Sequence, residues 1–116
     1  MSITRIEVGP RMSQAVVHGN TVYLAGQVAA KPEGASVGDQ TAQILAQIDA
    51  LLAKAGTDKT KLLSATIYLA DIATFAEMNA KWDGWIVAGA TPARATVEAK
   101  LAAPAYTVEI AVIAAI

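Results

Sequence analysis

Cysteine is absent, histidine occurs once, at His18, and charged side chains make up only 16 % of the 116 residues. Without cysteine the chain has no disulfide, no thiol nucleophile and no thiolate metal ligand. A single imidazole leaves a histidine-built metal centre without its further ligands. Nine basic residues against ten acidic ones give a formal net charge of −1. There is thus no basic stripe for a phosphate backbone, and nucleic acid is not an expected partner. Apolar residues reach 54 %, yet no run approaches the roughly 18 consecutive apolar residues of a membrane span. Met1-Ser2-Ile3-Thr4-Arg5 lacks the basic-then-apolar order of a secretory signal, so the expectation is a cytoplasmic chain.

Low charge also raises a question of surface. Size scaling gives a monomer of this mass an exposed area of roughly 6,000 Å² and burial of about two-thirds of the unfolded surface. A typical globular chain is about 25 % charged. With no membrane span available, the excess apolar surface is expected to be buried against another subunit. The length allows a single domain over residues 1–116.

Ile3 to Val8 reads as a strand ended by Gly9-Pro10, and Ala15 to His18 as a second. Gly19-Asn20 marks a tight hairpin turn, because both residues tolerate positive φ, and Thr21 to Ala25 is the return strand. Lys31-Pro32-Glu33-Gly34 is a loop by composition. Ser36 with Asp39 resembles a capping box in which Asp replaces the usual Glu or Gln. In the helix it opens, Thr41, Ile44, Leu45, Ile48, Leu51, Leu52 and Ala55 form the apolar face; Gln40, Gln43, Gln47 and Lys54 lie off it, and Gly56 closes the helix. Leu63, Ala65, Ile67 and Leu69 alternate with Ser64, Thr66 and Tyr68, the period of a half-buried strand. Asp71 caps a second helix with the stripe Phe75, Met78, Trp82, Trp85 and Ile86, ending near Gly89. Both helices are expected to run for about 17 residues. Strands at Ala95 to Lys100 and from Tyr106 to the C-terminus complete an α+β domain with both helices on one face of a mixed sheet. After Glu109 the last strand is apolar on both faces, as in a central strand covered on each side. The helices supply one cover; the other has to come from elsewhere.

Few residues in this chain offer chemistry. Glu109 sits among Val108, Ile110, Ala111 and Val112, where an ionised carboxylate is costly unless paired. It reads either as a salt-bridged strand residue or as a carboxylate suited to polarising water. Arg94, after Thr91-Pro92-Ala93, reads either as a solvated loop arginine or as a fork for a planar carboxylate. Arg11 beside Pro10 has the same chemistry and a weaker claim. Asn79 can bind backbone or ligand. Trp82 and Trp85, at helical spacing, read as core or interface residues, and His18 as a surface histidine. The glycine spacings match no phosphate-binding loop, and no Ser, His and Asp stand as a triad.

Several short motifs occur in one order along the chain. They are Gly9-Pro10 with Ser13-Gln14-Ala15, Val22-Tyr23-Leu24-Ala25-Gly26-Gln27, Gln40-Thr41 opening a helix that ends Ala55-Gly56, and Tyr68-Leu69-Ala70-Asp71. Phe75-Ala76-Glu77-Met78-Asn79, Pro92-Ala93-Arg94-Ala95-Thr96 and Val108-Glu109-Ile110 follow. Together they resemble the RidA (YjgF-like) family of enamine and imine deaminases over essentially the whole chain, closest in detail to its YoaB-like branch. The resemblance implies a chorismate-mutase-like fold assembled as a homotrimer, with the sheets turned inward and a cleft between each pair of neighbouring subunits. It implies hydrolysis of reactive 2-imino and 2-enamino acids, 2-aminoacrylate among them, to 2-keto acids and ammonia, with neither metal nor organic cofactor. Arg94 would clamp the substrate carboxylate and Glu109 would hold and activate the attacking water. Thr96, Asn79, Gly26, Gln27 and Met12 would line the substrate.

Two positions depart from the family pattern. Thr96 stands where many members have Cys or Ser, and its extra methyl narrows the pocket. Where many members read Gly-Pro-Tyr-Ser, this chain reads Gly9-Pro10-Arg11-Met12-Ser13, with no tyrosine, which bears on the preferred imine. The alternative is a non-catalytic trimeric module that holds small carboxylate metabolites in the same clefts. The ribonuclease or translation-inhibitor activity attributed to some relatives finds little support in a chain with no basic stripe and one histidine.

Overall fold

The apolar alternation of the last strand sets the layering of the molecule. A computed structural model describes residues 2–116. Six strands and two α-helices follow one another as β1 (Ile3–Val8), β2 (Ser13–His18), β3 (Thr21–Leu24), α1 (Val37–Lys54), β4 (Leu62–Leu69), α2 (Phe75–Trp85), β5 (Ala93–Glu98) and β6 (Val108–Ala115). They form one mixed sheet in the order β1-β2-β3-β6-β4-β5, so the C-terminal strand lies in the middle. Every pairing is antiparallel except β4 with β5, which the α2 crossover makes parallel. Among the described residues no helix is long and apolar enough to cross a membrane.

Side-chain alternation gives the sheet two different faces. Val108, Ile110, Val112 and Ala114 of β6 are buried with Val22, Leu24, Ala65, Ile67 and Leu69 beneath Ile44, Ile48 and Leu52 of α1 and Met78 and Trp82 of α2. The intervening residues Glu109, Ala111 and Ile113 point the other way. On that face Val16 pairs with Tyr23 and Tyr23 with Ile113, an apolar row across three strands. None of the described residues packs over it, and Tyr23 is 47 % exposed. The exposed area, 6285 Å², lies close to the scaling expectation.

The structure revises several sequence expectations. Gln40, expected off the apolar face of α1, is 1 % exposed. Its Nε2 donates to the carbonyls of Pro32 (3.2 Å), Ala35 (3.3 Å) and Ala105 (3.0 Å), and its Oε1 accepts from the Thr107 N–H (3.1 Å). A polar side chain is tolerated there because its amide ties the helix to two irregular segments whose backbone groups would otherwise be orphaned. Leu63 is exposed while Leu62 is buried, because a register irregularity between Leu62 and Ser64 shifts the alternation by one residue. Helix α1 has 18 residues but α2 only 11. Asp71 caps a separate 3₁₀ turn, Ile72–Thr74, before α2. Gly89, at φ +80, lies in a turn after the helix end at Trp85. In the β2–β3 hairpin Gly19 takes φ +64 and Asn20 does not take a positive φ. That is the pattern of a turn needing glycine only at its first central position. Strand β5 starts two residues before the expected Ala95, and β6 begins at Val108 rather than Tyr106.

Both ends of α1 are fixed. The Ser36 hydroxyl accepts from the Asp39 N–H at 3.1 Å, and Glu77 of α2 accepts from the Gly38 N–H at 2.8 Å, joining the helices. At the other end Gly56, at φ +84, donates to Ala53 and Thr57 donates to Leu52, closing a Schellman motif. Replacing Gln40 by alanine would leave the Thr107 N–H without its acceptor and the Ala35 and Ala105 carbonyls without a donor, while the Pro32 carbonyl keeps the N–H of Ala35. The expected loss is about 2–4 kcal/mol of unfolding free energy, measured as a lowered urea midpoint at unchanged m value.

Candidate functional site

The candidate residues fall into two clusters on opposite faces of the sheet. Pro92 ends the loop before β5, and the strand then projects Arg94 and Thr96 toward the helices, beside Ala65 and Ile67. The Arg94 Nη1 donates to Asn79 Oδ1 of α2 at 2.8 Å. Its guanidinium carbon lies 5.2 Å from the ring centroid of Trp82 and 5.8 Å from that of Phe75. The only ion pair among the described residues joins Lys54 to Glu7 at 2.6 Å, so Arg94 is a half-buried cation without an anionic partner. Such a group is poised for an anion from outside the chain. Next to it, the hydroxyl of Thr96 is buried with no hydrogen-bond partner.

Glu109 belongs to the other face, across from Tyr68 on β4. It borders a cleft of about 450 Å³ together with Gly26, Tyr68, Lys100, Leu101 and Ala111. Gly26 lets the Glu109 carboxylate lie close to the backbone: a Cβ at this position would come 3.0 Å from the carboxyl carbon and closer still to its Oε2, so the side chain would have to swing away. An ionised carboxylate held against backbone in an open cleft can only accept hydrogen bonds, and a water molecule is a suitable donor.

Gly26 also borders a second cavity, of about 430 Å³, with Met12, Gln14, Gln27 and Gln47. Gln27 is 6 % exposed; its Nε2 donates to Gln14 Oε1 (2.9 Å) and to the Ala25 carbonyl (3.1 Å), and its Oε1 accepts from Gln47 at 3.3 Å. Its side chain therefore builds the wall behind Gly26, and it does not line the cleft of Glu109. Met12, 48 % exposed, stands at the rim of the same cavity. The structure thus groups Arg94, Asn79 and Thr96, and separately Glu109 and Gly26, with Met12 and Gln27 on the far side of Gly26. Arg94 borders neither of these two cavities.

Sequence reasoning missed Tyr68 and Lys100 as neighbours of Glu109. The alternation in β4 did place Tyr68 off the core, but pairing with Glu109 depends on register. Lys100 was read as part of a strand that in fact stops at Glu98. His18 and Arg11 are exposed and stand in neither cluster. No group of three or more His, Asp or Glu side chains among the described residues is arranged to hold a metal.

Comparison with known proteins gives consistent results. The family model described as Endoribonuclease L-PSP matches residues 2–116. The RutC family protein YoaB of Escherichia coli is 49 % identical over 118 residues, covering 100 % of both chains. A RutC family protein of Haemophilus influenzae is 45 % identical, covering 98 % of each. Among solved structures, a YjgF family member from Neisseria meningitidis superposes with a TM-score of 0.96 at 47 % identity, covering 99 % of this chain and 95 % of that one.

The orphaned Thr96 hydroxyl generates a stability prediction. Thr96→Val keeps the shape and removes a buried polar group without a partner, so unfolding free energy should rise by about 1 kcal/mol, seen as a higher melting temperature. A drop in melting temperature would show that the hydroxyl is satisfied in solution.

Proposed function

The chain belongs to the YjgF/RidA family, and on that premise we propose that it hydrolyses reactive 2-imino and 2-enamino acids to 2-keto acids and ammonia at clefts between the subunits of a homotrimer. The observation that carries this reading is the division of the site: an unpaired Arg94 on one face of the sheet and an accessible Glu109 on the other. A second copy laid on the uncovered face would complete both. In this reading the apolar row of Val16, Tyr23 and Ile113 is the contact surface, which accounts for the sparse charge.

The chemistry asks little of the protein. Arg94 takes the substrate carboxylate through parallel N–H···O bonds and so fixes the neighbouring C=N carbon. Glu109 of the adjoining subunit orients a water and accepts its proton as the oxygen bonds to that carbon. Glu109 then passes that proton to the imine nitrogen, which regenerates the carboxylate and gives a tetrahedral carbinolamine. A proton then passes from its hydroxyl to nitrogen, the C–N bond breaks, and ammonia leaves behind the carbonyl of the keto acid. One imine and one water yield one keto acid and one ammonia; an enamine enters after protonation at carbon. Because the imine carbon is already electrophilic, orientation and a placed water supply most of the acceleration.

RNA cleavage fits the site less well. His18 is exposed at a hairpin turn, away from both clusters, and the net charge of −1 offers a phosphate backbone no basic surface. A binding module without turnover is separated from the enzyme by experiment. Iminopropanoate is generated with an amino-acid oxidase, and the imine remaining is trapped with semicarbazide. The wild-type protein should accelerate loss of the imine; keto-acid binding without acceleration would establish the binding module.

Arg94→Ala is expected to lower kcat/KM about 100-fold. Glu109→Gln should lower kcat by a similar factor, with KM changed less than about threefold. An Arg94→Ala protein that hydrolyses the imine at the wild-type rate would refute the reading. Sharing of the site has its own test. Equal amounts of the two inactive variants, unfolded and refolded together, should recover about one quarter of wild-type activity, because in a ring of subunits that fraction of clefts receives both intact groups. Recovery no greater than the sum of the separate variants would mean that each site is built within one chain.

A further inference from the structure

Phe75, Asn79 and Trp82 stand at i, i+4 and i+7 on α2, so one stripe of this helix faces Arg94 with a ring, an amide and a second ring. Trp82 is 5 % exposed and its ring is fixed by the core, whereas Phe75 is 40 % exposed and its ring sits at the mouth. A guanidinium on an edge strand, with no anion beside it, would ordinarily sample many rotamers, and a ligand would have to order it on binding. Two aromatic faces within about 6 Å attract the cation through their ring quadrupoles and oppose that freedom. The Asn79 oxygen holds Nη1, and no other guanidinium nitrogen has a partner among the described residues.

We infer that Phe75 and Trp82 are positioning residues for Arg94, holding its guanidinium against two ring faces so that the free edge of its fork is presented to a planar carboxylate. The inference deepens the deaminase reading and rests on it for the identity of the ligand, since it specifies what keeps the carboxylate clamp in place. It also gives the short α2 helix a role: its stripe serves the core with Met78 and Trp82 and the site with Phe75 and Asn79. Trp82 belongs to both sets.

The experiment compares wild type with Phe75→Leu, which removes the ring at the mouth, and Phe75→Tyr, which restores one. Phe75→Leu is expected to raise KM for iminopropanoate, and the dissociation constant of 2-oxobutanoate measured by calorimetry, by about threefold to tenfold, with kcat within about twofold. The tyrosine variant should return both to within about twofold of wild type. A third readout needs no activity: the Arg94 Nε–Hε resonance, assigned by its loss in Arg94→Lys, should move in Phe75→Leu as the ring current is lost and return in Phe75→Tyr. Unchanged affinity and an unmoved resonance in Phe75→Leu would overturn the inference, as would failure of the tyrosine variant to restore them. If the wild type neither hydrolyses the imine nor binds the keto acid, the deaminase reading falls, and the resonance alone decides whether the rings hold Arg94.

Discussion

A sheet whose central strand is apolar on both faces needs two covers, and this chain has helices for only one. Strand β6 sits between β3 and β4, with Val108, Ile110 and Val112 against the helices and Ala111 and Ile113 on the bare side. Much of the molecule follows from this asymmetry. The helix face contains the large buried side chains and can be stable alone. The bare face is apolar without being packed, and on transfer from water each apolar Å² contributes about 25 cal/mol to whatever association buries it. A low proportion of charged residues is the compositional counterpart of this bare apolar face.

The same asymmetry organises the polar groups. Parallel pairing of β5 with β4 sends Arg94 to the helix side, while the antiparallel pairing of β6 sends Glu109 to the bare side. In one chain the two charges are kept apart by the thickness of a sheet and cannot neutralise one another. Each remains available, and neither is compensated by a neighbour within ion-pair distance. The cost of holding an unpaired charge near apolar surface is lowered by partial hydration and, at Arg94, by aromatic faces and an amide.

Much of this was legible in the sequence. The alternation of Ala65, Ile67 and Leu69, the Ser36 cap, the Gly56 stop and the apolar face of α1 appear in the structure as read, because each depends on near neighbours in the chain. The failures involve long-range effects. Gln40 looks like a surface residue by periodicity, and only the arrival of Ala105 and Thr107 from 65 residues or more away makes it a core residue. The shift between Leu62 and Ser64 belongs to the pairing with β6 and leaves no local signature. Arg94 and Glu109 were recognisable as residue types; their placement on opposite faces required the strand order. Gly26 and Gln27 come as a pair through the family resemblance; in the fold both border the second cavity, and only Gly26 also borders the cleft of Glu109.

The glutamines of α1 have one more consequence. Gln43 and Gln47 grip the segment that follows Gly26, through the N–H and carbonyl of Lys31, the N–H of Ala30 and the carbonyl of Val28, and Gln40 holds Pro32 and Ala35. The fastening is made entirely of neutral amides. Amides do not titrate and are not screened by electrolyte as exposed ion pairs are. The segment beside the Glu109 cleft is therefore moored in a way that is indifferent to acidity and ionic strength, even though the groups that would act on a substrate are both charged.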